Sequence, residues 1–299
     1  MSFTKLLSFV IYTSVFFASD VVANKKGDSP DRDFGSFENV SESQPLWELG
    51  VGSGAVDVPN YPASGERNFV PFVVPYLVYR GDIFRASGNS GVRAVVLETS
   101  DFELGLSFGG AFSADSDDNS VRAGMPELDF LFEVGPQLIY RVKDYEFKHG
   151  GNARLKARLQ ARAVYSTDFE RVDERGFVVE PMLSYQQRGV FFEDSSVNAG
   201  LSFKFASEEL QDYYYQVDPV FANSNRMQYD AKGGYLGAEL SLGFSFPVRE
   251  KIRGFLGGSA QFHQGAANRG SPLYEEDITY SVGLRFVWRL FESEAKANW

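Results

Sequence analysis

Hydrophobic and polar residues alternate with a period of two along several long segments of the chain. From Ala153 to Ala163, every second residue is Ala or Leu, and the residues between them are Arg, Lys or Gln. The segments 128–142, 236–246 and 278–289 show the same pattern, with mostly Phe, Leu, Val, Tyr and Trp on the apolar side. Because successive side chains of a strand point to opposite faces, the pattern predicts long strands with one apolar and one polar face.

The pattern and the turn residues predict about twelve strands. They lie near residues 46–56, 68–80, 83–88, 92–99, 102–112, 127–142, 152–166, 177–188, 190–206, 235–246, 252–264 and 276–290. Short connections alternate with long ones, and the long ones fall at 57–67, 113–126, 167–176, 207–234 and 265–275. Two connections depart from this alternation. The turn at 88–91 is short where a long loop is expected, and the connection at 143–151 is long where a turn is expected.

Two architectures fit long strands of this kind. A soluble sandwich or lipocalin-like barrel would place the apolar face inside, whereas a membrane barrel would place it outside, with the charged face lining the lumen. Strands of soluble proteins usually have about five or six residues, and a tilted strand needs about ten to cross a bilayer. The strand lengths and the alternating connections therefore predict an all-β fold: a transmembrane antiparallel β-barrel over residues 46–290, in the outer membrane of a Gram-negative bacterium.

The two ends of the chain are predicted to lie outside the barrel. Lys5, the apolar run 6–17 and the small residues at 21–23 have the pattern of a signal peptide that is cleaved after Ala23. Residues 24–45 are mostly polar and predict a flexible periplasmic leader. Residues 291–299 form a tail behind the last strand. The sequence thus predicts export from the cytoplasm.

Composition excludes several functional classes. The 299 residues include no Cys and two His, which excludes disulfide scaffolds and thiolate zinc sites and leaves little for His-rich metal sites. The net charge of −11 argues against nucleic acid as a partner. After residue 23 no run of 18 uncharged apolar residues occurs, so no transmembrane helix is predicted.

The last predicted strand contains a short pattern of polar, glycine and aromatic residues. This segment resembles the C-terminal signal that the outer-membrane assembly machinery recognises. It has a polar residue, a glycine and two aromatic residues in the order of that signal, at Ser281, Gly283, Phe286 and Trp288. That signal normally closes a protein, whereas here residues 290–299 continue beyond it.

Several segments, in order along the chain, resemble the MipA/OmpV family of MltA-interacting outer-membrane proteins. They are 58–64 (VPNYPAS), 75–82 (PYLVYRGD), 126–129 (PELD) with 133–136 (EVGP), and 212–217 (DYYYQV) with 229–234 (YDAKGG). Ala63 and Gln216 stand where the family tends to have Gly, which puts the local turn geometry at these two positions in question.

The resemblance implies an outer-membrane barrel without catalysis or a cofactor. For the family's namesake it implies a scaffold that joins a lytic transglycosylase to a peptidoglycan synthase in cell-wall maintenance. The expected surroundings are outer-membrane lipid, lipopolysaccharide and the assembly machinery. A narrow channel and a surface adhesin or stress-response protein remain alternatives, because fold does not determine function.

Charges on the polar faces of two neighbouring strands are the main candidate site. Asp129, Glu133 and Arg141 belong to one strand, and Arg154, Lys156, Arg158 and Arg162 belong to its hairpin partner. We expect Glu133 to lie opposite or diagonal to Arg162, within reach of cross-strand pairing. Two interpretations follow: a structural network that fixes strand register, or a constriction that selects anionic solutes.

Three other features carry weaker signals. Tyr213, Tyr214 and Tyr215 lie in the longest loop. They either belong to the aromatic girdle or the loop packing, or they contact an extracellular partner. His263 lies near carboxylates at 275–277, but no nucleophile motif accompanies it, so no catalytic site is predicted. The acidic run 115–119 lacks the Gly and Glu of a calcium loop and is interpreted as a solvated loop, so no metal site is predicted.

Overall fold

The computed structural model describes residues 45–81, 84–87, 91–116, 120–147, 151–192 and 194–297. The predicted signal peptide, nearly all of the predicted leader, His149 and most of the acidic run 115–119 lie outside these residues. None of the helices in the described part has the length and apolar character needed to span a membrane.

The described residues form twelve antiparallel strands in one sheet. These strands are β1 (Trp47–Pro59), β2 (Arg67–Arg80), β3 (Phe84–Ser87), β4 (Gly91–Glu98), β5 (Phe102–Ala111), β6 (Phe130–Glu146), β7 (Asn152–Thr167), β8 (Val172–Arg188), β9 (Ser196–Ala206), β10 (Gly234–Arg249), β11 (Ile252–Phe262) and β12 (Ile278–Glu292). Each strand pairs with its neighbours in sequence, and β1 also pairs with β12, so the sheet closes into a barrel.

The apolar faces of the strands point outward. On β6, Leu138 and Tyr140 are exposed, whereas Gln137 and Ile139, which alternate with them, are buried on the lumen side. On β12, Val282, Leu284, Phe286 and Trp288 are exposed in the same way. An outward apolar face with a polar face around the lumen is the membrane-barrel arrangement of the two that the pattern allowed.

Several strand ends differ from the prediction. β8 begins at Val172, so the connection predicted as a long loop at 167–176 spans only 168–171, and β9 begins at Ser196 rather than near residue 190. β6 continues to Glu146, so the connection to β7 is short, and the expected departure at 143–151 disappears. β12 continues to Glu292, and the segment behind it stays in contact with the barrel. There the N–H of Leu46 donates to the carbonyl oxygen of Ala295 at 2.8 Å, and Pro45 forms a bridge with Lys296. The start of β1 thus holds the tail in place.

The wall is low where β3 and β4 lie. These strands have four and eight residues, whereas β2 has 14 and β5 has 10. The pairing of β2 with β3 is limited to Tyr79 with Ala86 and Arg80 with Arg85. β3 and β4 therefore form a low hairpin in the wall. Most of the short turn predicted at 88–91 lies outside the described residues.

A helix, α1 (Glu208–Tyr215), interrupts the long loop between β9 and β10, which the sequence analysis treated as irregular. A short 3₁₀ helix, Pro219–Phe221, follows it. Buried apolar residues of the chain cluster around α1, at the end of the barrel where the long loops lie. This cluster includes Tyr61, Leu128, Leu131, Val164, Val178, Leu210, Tyr214, Tyr215, Leu236 and Leu273.

Candidate functional site

The helix α1 and the loops around it close one end of the barrel, and we call this assembly the plug (residues 60–66, 112–116, 120–129, 207–233 and 263–277). Tyr215 is fully buried, and its hydroxyl donates to the carbonyl oxygen of Pro62 at 2.7 Å. The carbonyl oxygen of Tyr215 accepts from the hydroxyl of Ser271 at 2.8 Å. Arg122 donates to the carbonyl oxygen of Tyr214 at 3.1 Å. All four loops therefore meet on the last turn of α1.

Side-chain amides fix the first turns of the same helix. Gln211 donates to the carbonyl oxygen of Gly234 at 3.1 Å, and it accepts from the amide of Asn268 at 2.8 Å. Both side chains are completely buried. Since a buried polar group without a partner costs roughly 1–3 kcal/mol, this pair ties α1 firmly to β10 and to the loop that follows β11.

The three adjacent tyrosines belong to the interior of the plug. Burial raises the pKa of Tyr213, Tyr214 and Tyr215 above the ordinary value, so all three stay neutral. The guanidinium of Arg175 stacks over the ring of Tyr213 with 4.7 Å between its carbon and the ring centroid. Of the two alternatives in the sequence analysis, the structure shows loop packing. Tyr214 and Tyr215 offer no exposed surface to an extracellular partner.

His263 holds the first loop of the plug. Its Nε2 atom accepts from the backbone N–H of Ala63 at 3.1 Å and lies 3.0 Å from the hydroxyl of Thr279. Its Nδ1 atom lies 3.3 Å from the carbonyl oxygen of Leu236. Burial lowers the pKa of this imidazole, which is therefore neutral at pH 7. The nearby carboxylates of residues 275–277 do not form a catalytic pair with it. Instead the backbone N–H groups of Glu275 and Glu276 donate to the carbonyl oxygen of Ala63.

Below the plug, a cluster of charged side chains extends over the lumen face of neighbouring strands. Arg162 on β7 donates to Glu133 on β6 at 2.6 Å and to Glu180 on β8 at 2.8 Å. Glu133 is directly opposite Val164, so its contact with Arg162 is diagonal, which confirms the expected cross-strand reach. Arg162 also donates to Gln160 on its own strand.

The cluster continues on strands that the sequence analysis did not include. Lys204 on β9 lies 3.4 Å from Glu239 on β10, which also accepts from Gln261 on β11 at 2.9 Å. The parity of the alternating pattern could have identified Glu180, Lys204 and Glu239, because each falls on the polar face of its strand. Their contacts with residues of other hairpins could be recognised only from the structure of the barrel.

The other predicted lumen charges lie apart from this cluster. Arg154 and Arg141 both contact Asp144, at 2.7 Å and 3.6 Å, near the end of the barrel with the short turns. Asp129 is outside the strands, and its carbonyl oxygen accepts from the hydroxyl of Tyr213 at 3.2 Å. The seven residues predicted as one network therefore form two groups and one plug contact, together with the lumen-lining Lys156 and Arg158.

Two cavities occupy the lumen. The upper cavity, about 480 Å³, lies directly below the plug and is lined by Tyr61, Leu210, Tyr213 and Tyr214 above and by Glu133, Arg158, Arg162, Lys204 and Glu239 below. The lower cavity, about 450 Å³, is lined by Lys156, Arg158 and Arg285 and otherwise by uncharged side chains, both polar and apolar. Its described lining contains no carboxylate, so the lower cavity has a cationic surface.

The remaining predicted features occupy ordinary positions. Ser281 and Gly283 lie on the lumen side of β12, whereas Phe286 and Trp288 face outward, as expected for aromatic residues on the lipid side. The described residues contain no group of three or more Asp, Glu or His side chains arranged to hold a metal ion.

The residue pattern, the barrel and the plug can now be set beside known proteins. A family model described as MltA-interacting protein MipA matches residues 51–290, which span the barrel from β1 to β12. The chain belongs to the MipA family. No curated protein matches the sequence of this MipA-family chain.

Among solved structures, an outer membrane channel from Pseudomonas putida F1 is 12% identical, covers 87% of this chain and 100% of its own, and has a TM-score of 0.38. OprB from Pseudomonas putida is 8% identical and covers 82% of this chain and 94% of its own, with a TM-score of 0.35. The toluene transporter TodX from Pseudomonas putida is 10% identical, covers 86% and 94%, and has a TM-score of 0.30.

Proposed function

We propose that the chain is a non-catalytic outer-membrane β-barrel that holds a lytic transglycosylase at the periplasmic surface. The observation that carries this proposal is the match of the family of MltA-interacting proteins to the whole barrel, residues 51–290. The outward apolar face of the strands supports the placement in lipid, because membrane barrels carry an apolar band on their outer surface. A peptidoglycan synthase would be the second partner of such a scaffold.

The direction of the barrel defines the docking surface. The start of β1, the end of β12 and most of the short turns lie at one end of the barrel, and the plug lies at the other. In outer-membrane barrels short turns face the periplasm. The docking surface would then include the turns at 99–101 and 250–251 together with the tail segment 293–297, which lies against the start of β1.

A first experiment tests the barrel and its location. The detergent-extracted outer-membrane fraction is run on SDS gels with and without boiling. We expect the protein in this fraction and a change in mobility on boiling, as a closed barrel resists SDS until it is heated. Recovery in the soluble fraction without a change in mobility would contradict the placement.

A second experiment tests docking. The purified barrel is used to capture lytic transglycosylases from a periplasmic extract, with an unrelated barrel as the control. Reversal of the charges of Glu250 and Lys251 in a short turn should weaken capture, whereas the matched reversal of Glu170 and Arg171 at the plug end should not. Capture no greater than that by the unrelated barrel would contradict the scaffold.

A narrow anion channel is the second candidate, and the cationic lower cavity favours it. The plug opposes conduction by the intact protein. Planar-bilayer recording separates the two: a scaffold gives no stepwise openings, and anion-selective openings would establish a channel instead.

A further inference from the structure

The barrel wall is open on one side, between the upper parts of β2 and β5. Residues 81–101 connect these two strands, and the described part of this segment contains only the short strands β3 and β4. At about 3.3 Å per residue, strands of four and eight residues reach only part of the height of β2. Among the described residues, no strand pairs with β2 on this side between Arg67 and Val78. We call this opening the gap.

The backbone of β2 shows which groups face the gap. The N–H of Arg80 donates to Leu46 at 2.8 Å, toward β1. Since N–H groups of a strand alternate in direction, even-numbered residues of β2 point toward β1 and odd-numbered residues point into the gap. The odd-numbered positions are Phe69, Pro71, Val73, Pro75 and Leu77.

Two of these five positions are proline, which has no N–H. Proline is confined to free edges of sheets because it cannot donate to a ladder, and it blocks the addition of a further strand. Pro71 and Pro75 therefore mark an edge that remains without a partner strand. The N–H groups of Phe69, Val73 and Leu77 still require polar partners, and hydrocarbon provides none. Water or a polar ligand from the lumen can supply them.

The gap leads to the upper cavity. Asn68 on one side of the gap and residues 107–112 on the other both line this cavity. Above, the gap is closed where Asn68 donates to the carbonyl oxygen of Ser113 at 3.0 Å and Ser120 donates to Glu66 at 2.9 Å. The cavity's 480 Å³ falls within the roughly 300–1,000 Å³ of small-molecule sites. Its roof is aromatic and its floor is charged.

We propose that the gap is a lateral portal through which a single-chain amphiphile dissolved in the membrane reaches the upper cavity. The apolar tail packs below Leu210 and Tyr214, and the polar head is bound by the floor, where Lys204 and Arg162 lie. This proposal rests on the outer-membrane placement proposed above, which the boiling experiment tests separately.

Because the chain has no cysteine, a single thiol can report on entry. Gln261→Cys places a thiol in the upper cavity, on β11, away from the gap. The protein in phospholipid vesicles is treated with N-dodecylmaleimide, which partitions into lipid, or with a sulfonated maleimide, which stays in water. We expect faster labelling by the lipid-soluble reagent. Ala111→Trp narrows the gap from the lumen side of β5 and should lower this rate severalfold, whereas Ala199→Trp on the outer face of β9 should not.

Equal rates in the two tryptophan variants, or faster labelling by the water-soluble reagent, would overturn the portal. A second measurement needs no substitution. Hydrogen exchange should be fast at the amides of Phe69, Val73 and Leu77 and slow at those of Val70 and Val74, which bond to β1. Equal protection of both sets would show that another strand covers the edge, and would also overturn the proposal.

Discussion

The Nε2 atom of His263 accepts a hydrogen bond from the backbone N–H of Ala63 at 3.1 Å. This contact joins two loops that lie 200 residues apart in the sequence. It requires a neutral imidazole with its proton on Nδ1, directed toward the carbonyl oxygen of Leu236. Protonation of Nε2 would place two donors face to face, so the closure of the plug depends on the charge of one side chain.

This dependence predicts an effect of pH on the plug. Burial lowers the folded-state pKa of His263 below its ordinary value of about 6.5. Below pH 6.5 the unfolded loop binds more protons than the folded loop, so the order of the loop is greatest above that pH and decreases as the pH falls. We expect faster tryptic cleavage after Arg269, in the loop 263–277, at pH 5.5 than at pH 7.5.

His263→Gln provides the control, since a glutamine does not titrate. This variant should show less difference between the two pH values, after correction for the pH dependence of trypsin on a reference peptide. A difference as large as in the unsubstituted protein would show that another group is responsible. Asp277 titrates lower, because Tyr274 and Arg269 lower the pKa of its carboxyl.

Ala63 occupies a backbone conformation that favours glycine, with φ = 63°. The left-handed region costs a non-glycine residue about 1–2 kcal/mol. Glycine would relieve this strain but lose about 0.8 kcal/mol of methyl burial and about 0.4–1 kcal/mol of backbone entropy. We expect Ala63→Gly to change the free energy of unfolding by less than about 1 kcal/mol, and Ala63→Val to be clearly destabilising. Urea titration of both variants in detergent checks this, and a tolerated valine would contradict the strain.

Alternation of side chains predicted the barrel because burial on the two faces of a strand differs so strongly. It located Glu133 and Arg162 on the lumen side and placed Phe286 and Trp288 outside. The family resemblance also indicated that glycine is usual at position 63, and Ala63 has the positive φ that favours glycine. At Gln216 the same doubt has no structural counterpart, because φ is −65° there and the side chain bonds to Ala231 at 2.9 Å.

The plug was not predictable from the same signals. Residues 208–215 are too few for a clear helical period, and their helix depends on contacts from three other loops, such as that of Ser271 with Tyr215. The free edge of β2 had a signal in Pro71 and Pro75, but its meaning required the register of β1 with β2 and the low β3–β4 hairpin.

The cluster around Arg162 should dominate the stability of the upper lumen. Arg162→Met leaves Glu133 and Glu180 buried without their shared cation, and loss of one partner of a buried pair costs about 3–5 kcal/mol. Glu133→Gln should cost less, because Glu180 still accepts from Arg162. Urea titration measures both. The matched variant Arg171→Met removes an exposed pair and should change little. Equal effects of Arg162→Met and Arg171→Met would show that the lumen is well solvated.

The prolines of β2 predict resistance to edge pairing. Pro71→Val together with Pro75→Val restores two N–H groups on the free edge, and we expect edge-to-edge dimers in detergent. Pro181→Val on β8 is the control, because β8 has neighbours on both sides. Cross-linking followed by SDS gels without boiling measures dimer formation. Dimers in all variants, or in none, would contradict a special role for this edge.

Removal of the plug should convert the closed barrel into a conducting one. Replacement of residues 208–215 by a Gly–Ser linker deletes Tyr214 and Tyr215 and the anchor of Arg122, so the upper cavity opens to solvent at the plug end. Because Lys156 and Arg285 line the lower cavity, the current should favour anions. Lys156→Glu in the same background should reduce that preference, and Lys251→Glu, in a turn outside the lumen, should leave it unchanged. Planar-bilayer recordings in asymmetric salt measure the preference. If the linker variant stays silent while retaining its change in mobility on boiling, then the lumen is closed below the plug, and the cationic cavity does not conduct.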